Sequence, residues 1–172
     1  MSSLVSHRFA PLALDQLDRF AVELVSALPD RVVIGMVGTL GAGKTTLTQA
    51  IASAIGLDRE SVTSPTFSLL CSYSATVGNR SITLHHIDAY RLGDEDEFLE
   101  LGVEEFFEQP NTWTLIEWAD RVAEVMPADT LWINIAPMSA GDTDDPPPRS
   151  IVCSTNDGRL PTPLAELAKR LS

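Results

Sequence analysis

The chain has 172 residues, of which 44% are hydrophobic and 21% charged, with a formal net charge of -12. That size fits a single compact domain, 1–172, with a real core. The acidic balance opposes tight, unaided binding to a nucleic-acid backbone but still allows a nucleotide, which needs only a local positive field. Met1 to Pro11 lacks the basic region and apolar run of a secretion signal. Leu14, Leu17, Ala21, Leu24, Val25 and Leu28 then recur at helical spacing and predict an amphipathic helix over Asp15 to Leu28, stopped by Pro29-Asp30. Val32 to Val37 is a short apolar run ending in glycine, as expected of a strand buried on both faces. A glycine loop follows, and Lys44 to Ile55 carries Leu47, Ala50, Ile51, Ala54 and Ile55 on one helical face, with Gly56 just past its end. Phe67 to Tyr73 and Ser81 to Asp88 read as an antiparallel hairpin turning at Gly78-Asn79. Asp94 to Glu108 reads as one or two short acidic helices broken at Gly102. Trp113 to Glu117 is an apolar strand, Ala119 to Val125 a helix and Leu131 to Ile135 another strand. Residues 138–149 hold three aspartates and Pro146-Pro147-Pro148 without periodicity, which predicts a mobile loop. Ile151 to Ser154 reads as a last, edge strand and Pro163 to Leu171 as a closing helix. Neither cysteine, Cys71 or Cys153, belongs to a metal-type pair, and no apolar stretch is long enough to cross a bilayer. Both features fit a cytoplasmic protein with no membrane partner.

The loop is the most specific signal. Gly38-Thr39-Leu40-Gly41-Ala42-Gly43-Lys44-Thr45 satisfies every fixed position of G-x-x-x-x-G-K-[ST] between a strand and a helix. Glycines let the backbone curl so that several N–H groups converge on phosphate oxygens. The helix that starts beside Lys44 turns its positive end toward the same anion. Lys44 supplies a charge for the β- and γ-phosphates, and the Thr45 hydroxyl suits Mg²⁺. A dinucleotide-binding loop would not end in Lys-Thr. The chain lacks the Asn-Lys-x-Asp guanine signature, the Asp-x-x-Gly switch and the Leu-Ser-Gly-Gly stretch of transporter subunits, so ATP is expected over GTP.

Phosphoryl chemistry with magnesium needs acids at strand ends beside the loop. Asp88 and Glu117 each close a predicted strand. Asp88 is placed to hold Mg²⁺ directly or through water. Glu117 is placed to do the same or to orient the attacking water. Thr66, in a proline-containing turn, is a candidate γ-phosphate neighbour. His86 lies two residues from Asp88 on one strand face and is expected to pack near the metal pocket. His85 and His7 show no partners in the sequence. Arg91 is a candidate arginine finger, a group that could also come from a partner. A small-molecule kinase and a non-catalytic nucleotide switch remain open on these residues alone.

Four ordered segments carry a closer likeness. Gly38-Thr39-Leu40-Gly41-Ala42-Gly43-Lys44-Thr45-Thr46, Ser64-Pro65-Thr66-Phe67, His86-Ile87-Asp88-Ala89-Tyr90-Arg91 and Ile116-Glu117-Trp118, together with Glu100-Leu101-Gly102, resemble the TsaE (YjeE) family. The resemblance implies a P-loop NTPase fold of the α/β class: one domain with a mixed, mostly parallel central sheet, flanking helices and an antiparallel hairpin portion. It implies a weak ATPase that takes ATP or ADP with Mg²⁺. It also implies a role in threonylcarbamoyladenosine modification of tRNA at adenosine 37, with the TsaB–TsaD complex as partner and tRNA reached only through that complex. Gly38, Gly41, Ala42, Gly43, Lys44, Thr45 and Thr46 would contact phosphates. Lys44, Glu117, Asp88 and Thr66 would serve catalysis, and Thr45, Glu117 and Asp88 the metal. Trp118 matches a family tryptophan suited to packing or to the partner surface. One departure is Thr39, which stands where the family loop usually carries aspartate.

Overall fold

Residues 4–65, 67–139 and 146–171 are described by the computed structural model of the chain. Seven strands form one sheet: β1 (Val5–Leu12), β2 (Val32–Val37), β3 (Leu70–Val77), β4 (Arg80–Asp88), β5 (Thr112–Glu117), β6 (Leu131–Pro137) and β7 (Arg149–Thr155). Among the described residues five α-helices accompany them: α1 (Gln16–Ala27), α2 (Lys44–Ala54), α3 (Glu95–Glu100), α4 (Val103–Glu108) and α5 (Pro161–Leu171). The segment Ala119–Val125 is 3₁₀ rather than α-helical.

The spatial order is β1-β7-β6-β2-β5-β4-β3. The four central strands run parallel, and antiparallel ladders close both flanks, β3 on β4 at one side and β1-β7-β6 at the other. This is a single-domain α/β architecture with a mixed sheet. The central strands are apolar on both faces because both are covered. Ile34, Met36, Trp113, Leu115 and Ile133 lie under α1, α2 and α5. Val33, Ile87 and Ile116 lie under Phe98, Val103 and Phe107 of α3 and α4. In α1 the buried set is Leu17, Phe20, Ala21, Leu24 and Val25, the i, i+3, i+4, i+7, i+8 stripe that a core-facing helix requires. Each of its larger side chains contributes about 1.5–3 kcal/mol by leaving water.

Two expectations change. Val5–Leu12 forms β1, which pairs with β7. β7 is therefore an inner strand, not an edge. The hairpin's first strand begins at Leu70, since Phe67 and Ser68 form a turn whose Leu69 N–H donates to Pro65 O at 2.7 Å. Of the loop 138–149, residues 140–145 lie outside the described residues. Its two ends meet, with the Met138 N–H donating to Pro148 O at 2.8 Å.

Parallel packing places the site. The C-terminal ends of β2, β5 and β4 share one edge of the sheet, and the register sets Met36 beside Glu117 and Glu117 beside Asp88. The chain leaves β2 toward α2 on one face and leaves β5 toward Ala119 and Val122 on the other. Diverging exits of neighbouring strands open a crevice at that edge, the usual ligand position in such sheets.

Candidate functional site

That crevice is a cleft of about 340 Å³ lined by the loop residues Leu40, Gly41, Gly43, Lys44, Thr45 and Thr46, and by Ser64, Asp88, Tyr90, Glu117 and Trp118. The loop's first and last glycines answer to different constraints. At Gly38 a Cβ would lie 2.5 Å from the Ile135 carbonyl oxygen, so β6 leaves no room for a side chain. Gly43 sits at φ +111°, a conformation L side chains rarely adopt, and forms the N-cap of α2. Helix α2 thus begins inside the loop, with its first-turn amides at the cleft.

Lys44 is 5% exposed. Its Nζ donates to Gly38 O at 2.6 Å and Thr39 O at 3.0 Å, and lies 3.6 Å from the centre of the Trp118 ring. Burial lowers its pKa below the ordinary lysine value, while the charges of Glu117, Asp120 and Asp88 act against that shift. A lysine held this way has neutral carbonyl acceptors that it could exchange for a phosphate. Trp118 adopts a left-handed backbone, φ 57°, directly after β5. Its ring packs on Tyr90 at 4.8 Å, so its contacts lie with the lysine and the cleft wall. Thr39 takes part through its main chain: its carbonyl accepts from Lys44 and from the Ala42 N–H at 3.1 Å, while the side chain is exposed. The replaced family aspartate therefore costs the loop none of these internal bonds.

The acids meet the loop through hydrogen bonds. The Thr45 hydroxyl donates to Glu117 Oε2 at 2.8 Å. Glu117 Oε1 lies 2.8 Å from His86 Nε2, and both residues are buried. Asp88 Oδ2 accepts from the Ser64 hydroxyl at 2.7 Å, and Oδ1 from the Tyr90 N–H at 2.9 Å. Both carboxylates are held by hydrogen-bond donors, which orients them. Thr45, Glu117 and Asp88 offer hard oxygens, the ligand type Mg²⁺ prefers. Among the described residues no three His, Cys, Asp or Glu side chains cluster as a self-sufficient metal site. The donor set thus fits a cation that takes the rest of its ligands from phosphate and water.

Thr66 lies outside the described residues. Arg91 is exposed and stands over the Phe67 ring, 4.9 Å from its centre, and does not line the cleft. His85, for which the sequence allows a structural or an exposed role, is structural: it is buried, its Nδ1 lies 2.7 Å from Ser72 Oγ and its ring stacks on Phe106 at 3.9 Å. Two contacts escaped the sequence reading, that of Ser64 with Asp88 and that of Arg149 with the loop, whose Nε donates to Ala42 O at 2.9 Å. Ser64 adjoins a motif already singled out and was findable. Arg149 has no local signal.

The chain matches the family described as "Threonylcarbamoyl adenosine biosynthesis protein TsaE" over residues 13–143 of its 172. The chain belongs to the TsaE family. It is 39% identical over 112 residues to the tRNA threonylcarbamoyladenosine biosynthesis protein TsaE of Bacillus subtilis (strain 168), an alignment covering 65% of each protein. The chain thus spans just under two thirds of that relative. It is 34% identical over 112 residues to the TsaE of Treponema pallidum (strain Nichols), covering 65% of this chain and 78% of the relative. The crystal structure of Bacillus subtilis YdiB superposes with a TM-score of 0.69 at 28% identity, covering all of this chain and 99% of that one. The TsaE match contains the loop, Asp88, Glu117 and Trp118, and it ends before Arg149. No helix among the described residues is long and apolar enough to cross a membrane.

Proposed function

We propose that this TsaE-family chain binds ATP with Mg²⁺ and hydrolyses it weakly, supporting threonylcarbamoyladenosine modification of tRNA at adenosine 37 as a cytoplasmic partner of the TsaB–TsaD complex. The observation that carries this is the Thr45 to Glu117 hydrogen bond, which ties the phosphate loop to the acid closing β5. Loop amides from Gly41 to Thr46 and the start of α2 would receive the phosphates. Lys44 would exchange the Gly38 and Thr39 carbonyls for β- and γ-phosphate oxygens. Thr45, Glu117 and Asp88 would hold Mg²⁺, whose role is to offset charge on the transferring phosphoryl group. Glu117, held by His86, would align a water for attack on the γ-phosphorus, releasing ADP and phosphate. Thr66 keeps the γ-phosphate role that the family resemblance implies. Among the described residues no arginine lines the cleft, and slow turnover by the chain alone is the outcome proposed for a site without one.

The test is reconstitution of tRNA modification with the TsaB–TsaD pair over many turnovers, with and without this protein. Stimulation that disappears with Lys44→Ala is expected, and no stimulation by the wild-type protein sinks the reading. Glu117→Ala should cut hydrolysis at saturating ATP by about a hundredfold, the scale of a lost catalytic group. Hydrolysis and nucleotide binding both left intact in that variant would show that Glu117 has no catalytic part.

A further inference from the structure

Arg149 stands outside the family match and outside every motif, yet it touches the most constrained part of the loop. It is the first residue of β7, opposite Pro137 of β6 and Leu12 of β1. Because β7 runs antiparallel to β6, its start lies at the sheet edge where the parallel strands end. From there Arg149 Nε donates to Ala42 O at 2.9 Å, and Nη1 reaches Pro147 O at 3.4 Å. The side chain lies against Gly43 so closely that a Cβ there would sit 2.7 Å from Nε.

We propose that Arg149 is a positioning residue for the phosphate loop: it clamps the Ala42–Gly43 peptide so that the Gly43 N–H faces the phosphate cleft. The peptide is planar and trans, so its carbonyl and N–H point in opposite directions. Gly43 lines the cleft and Arg149 does not. A carbonyl held toward Arg149 therefore turns the amide away from it, to the cleft side. The clamp is needed because of Gly43 itself. Without a Cβ, glycine offers little resistance to rotation of the preceding peptide plane, and a rotated plane would present a carbonyl oxygen to an anion. A guanidinium donor is suited to the task, since charge-assisted bonds are shorter and stronger than neutral ones. It also adds positive charge behind the loop of an acidic protein.

This inference rests on the nucleotide-binding reading and is tested beside it. Isothermal titration with ADP and with ATP is run on wild type, Lys44→Ala, Arg149→Met and Arg149→Lys, with the melting temperature of each recorded. Arg149→Met keeps the apolar stem and loses the donor. It is expected to weaken ADP and ATP by the same factor, at least about tenfold, the effect of one lost charge-assisted hydrogen bond. KM for ATP should rise alike, with kcat held within about threefold, since the affected amide serves binding rather than the chemical step. Arg149→Lys should recover part of the affinity by offering one N–H to Ala42 O. Wild-type affinity in Arg149→Met overturns the clamp. If that variant melts below the assay temperature, Arg149→Gln is read the same way: weaker binding supports the clamp and unchanged binding overturns it. A wild-type protein that binds nucleotide no better than Lys44→Ala overturns the nucleotide reading itself, and the clamp falls with it.

Discussion

His85 shows how one side chain makes the fold sensitive to acid. It is 6% exposed, accepts or donates one hydrogen bond with Ser72, and stacks on Phe106. Its Nε2 is buried with no hydrogen-bond partner among the described residues. Burial lowers its pKa below the ordinary 6.5. A folded-state pKa below the unfolded one contributes stability that is complete above 6.5 and is lost as pH falls toward the folded value. Thermal melts of wild type and His85→Leu at pH 7.5 and 5.5 check this. The wild type should lose more melting temperature on acidification than the variant, and equal losses would refute the assignment. Among the cleft residues, Lys44, Thr45, Asp88 and Glu117 were readable from the sequence because each sits where a loop, a helix start or a strand end makes its chemistry local. Arg149, Ser72 and Phe106 act across long sequence separations. No spacing rule connects residue 149 to residue 42, and only the strand pairing brings them together.

Strand β1 is the element whose contribution was hardest to foresee. Val5, His7 and Phe9 alternate with exposed Ser6 and Arg8, a period-two signal, but Pro11 interrupts the run and polar residues dilute it. No strand is therefore predicted before Asp15, and Ile151 to Ser154 reads as an edge. Both readings share one cause, since whether a strand is at an edge depends on a partner elsewhere in the chain. The central strands were plain by contrast, because burial on both faces leaves an apolar run with nothing to confuse it. So was the acidic pair α3 and α4, where Gly102 at φ 74° breaks the helix as expected. In the folded protein Phe9 is 4% exposed and meets Phe20 of α1 edge-on at 5.1 Å. Phe9→Ala should therefore cost about 3–5 kcal/mol in urea unfolding, the usual range for a buried phenylalanine. A loss below about 1 kcal/mol would show that β1 is only loosely attached.

At the scale of the whole molecule the decisive quantity is the net charge of -12. Affinity for a polyanion comes largely from cations that displace its counterions, and an acidic surface opposes that exchange. The protein alone should fail to shift tRNA in a gel at about 0.15 M salt, conditions that screen charges beyond about 8 Å. Submicromolar binding there would mean that a local basic face outweighs the overall field. The sheet also orders events during synthesis. β1 starts at Val5 and its partner β7 ends at Thr155, so a ribosome must deliver the chain through Thr155 before that ladder can zip in full. Until then β6 presents a bare hydrogen-bonding rim, open to neighbouring nascent chains. Arg149 emerges with β7. A polypeptide stalled before that point would display the complete glycine loop while lacking the side chain that anchors it from behind, and its full affinity for nucleotide would mature only after residue 149 is made.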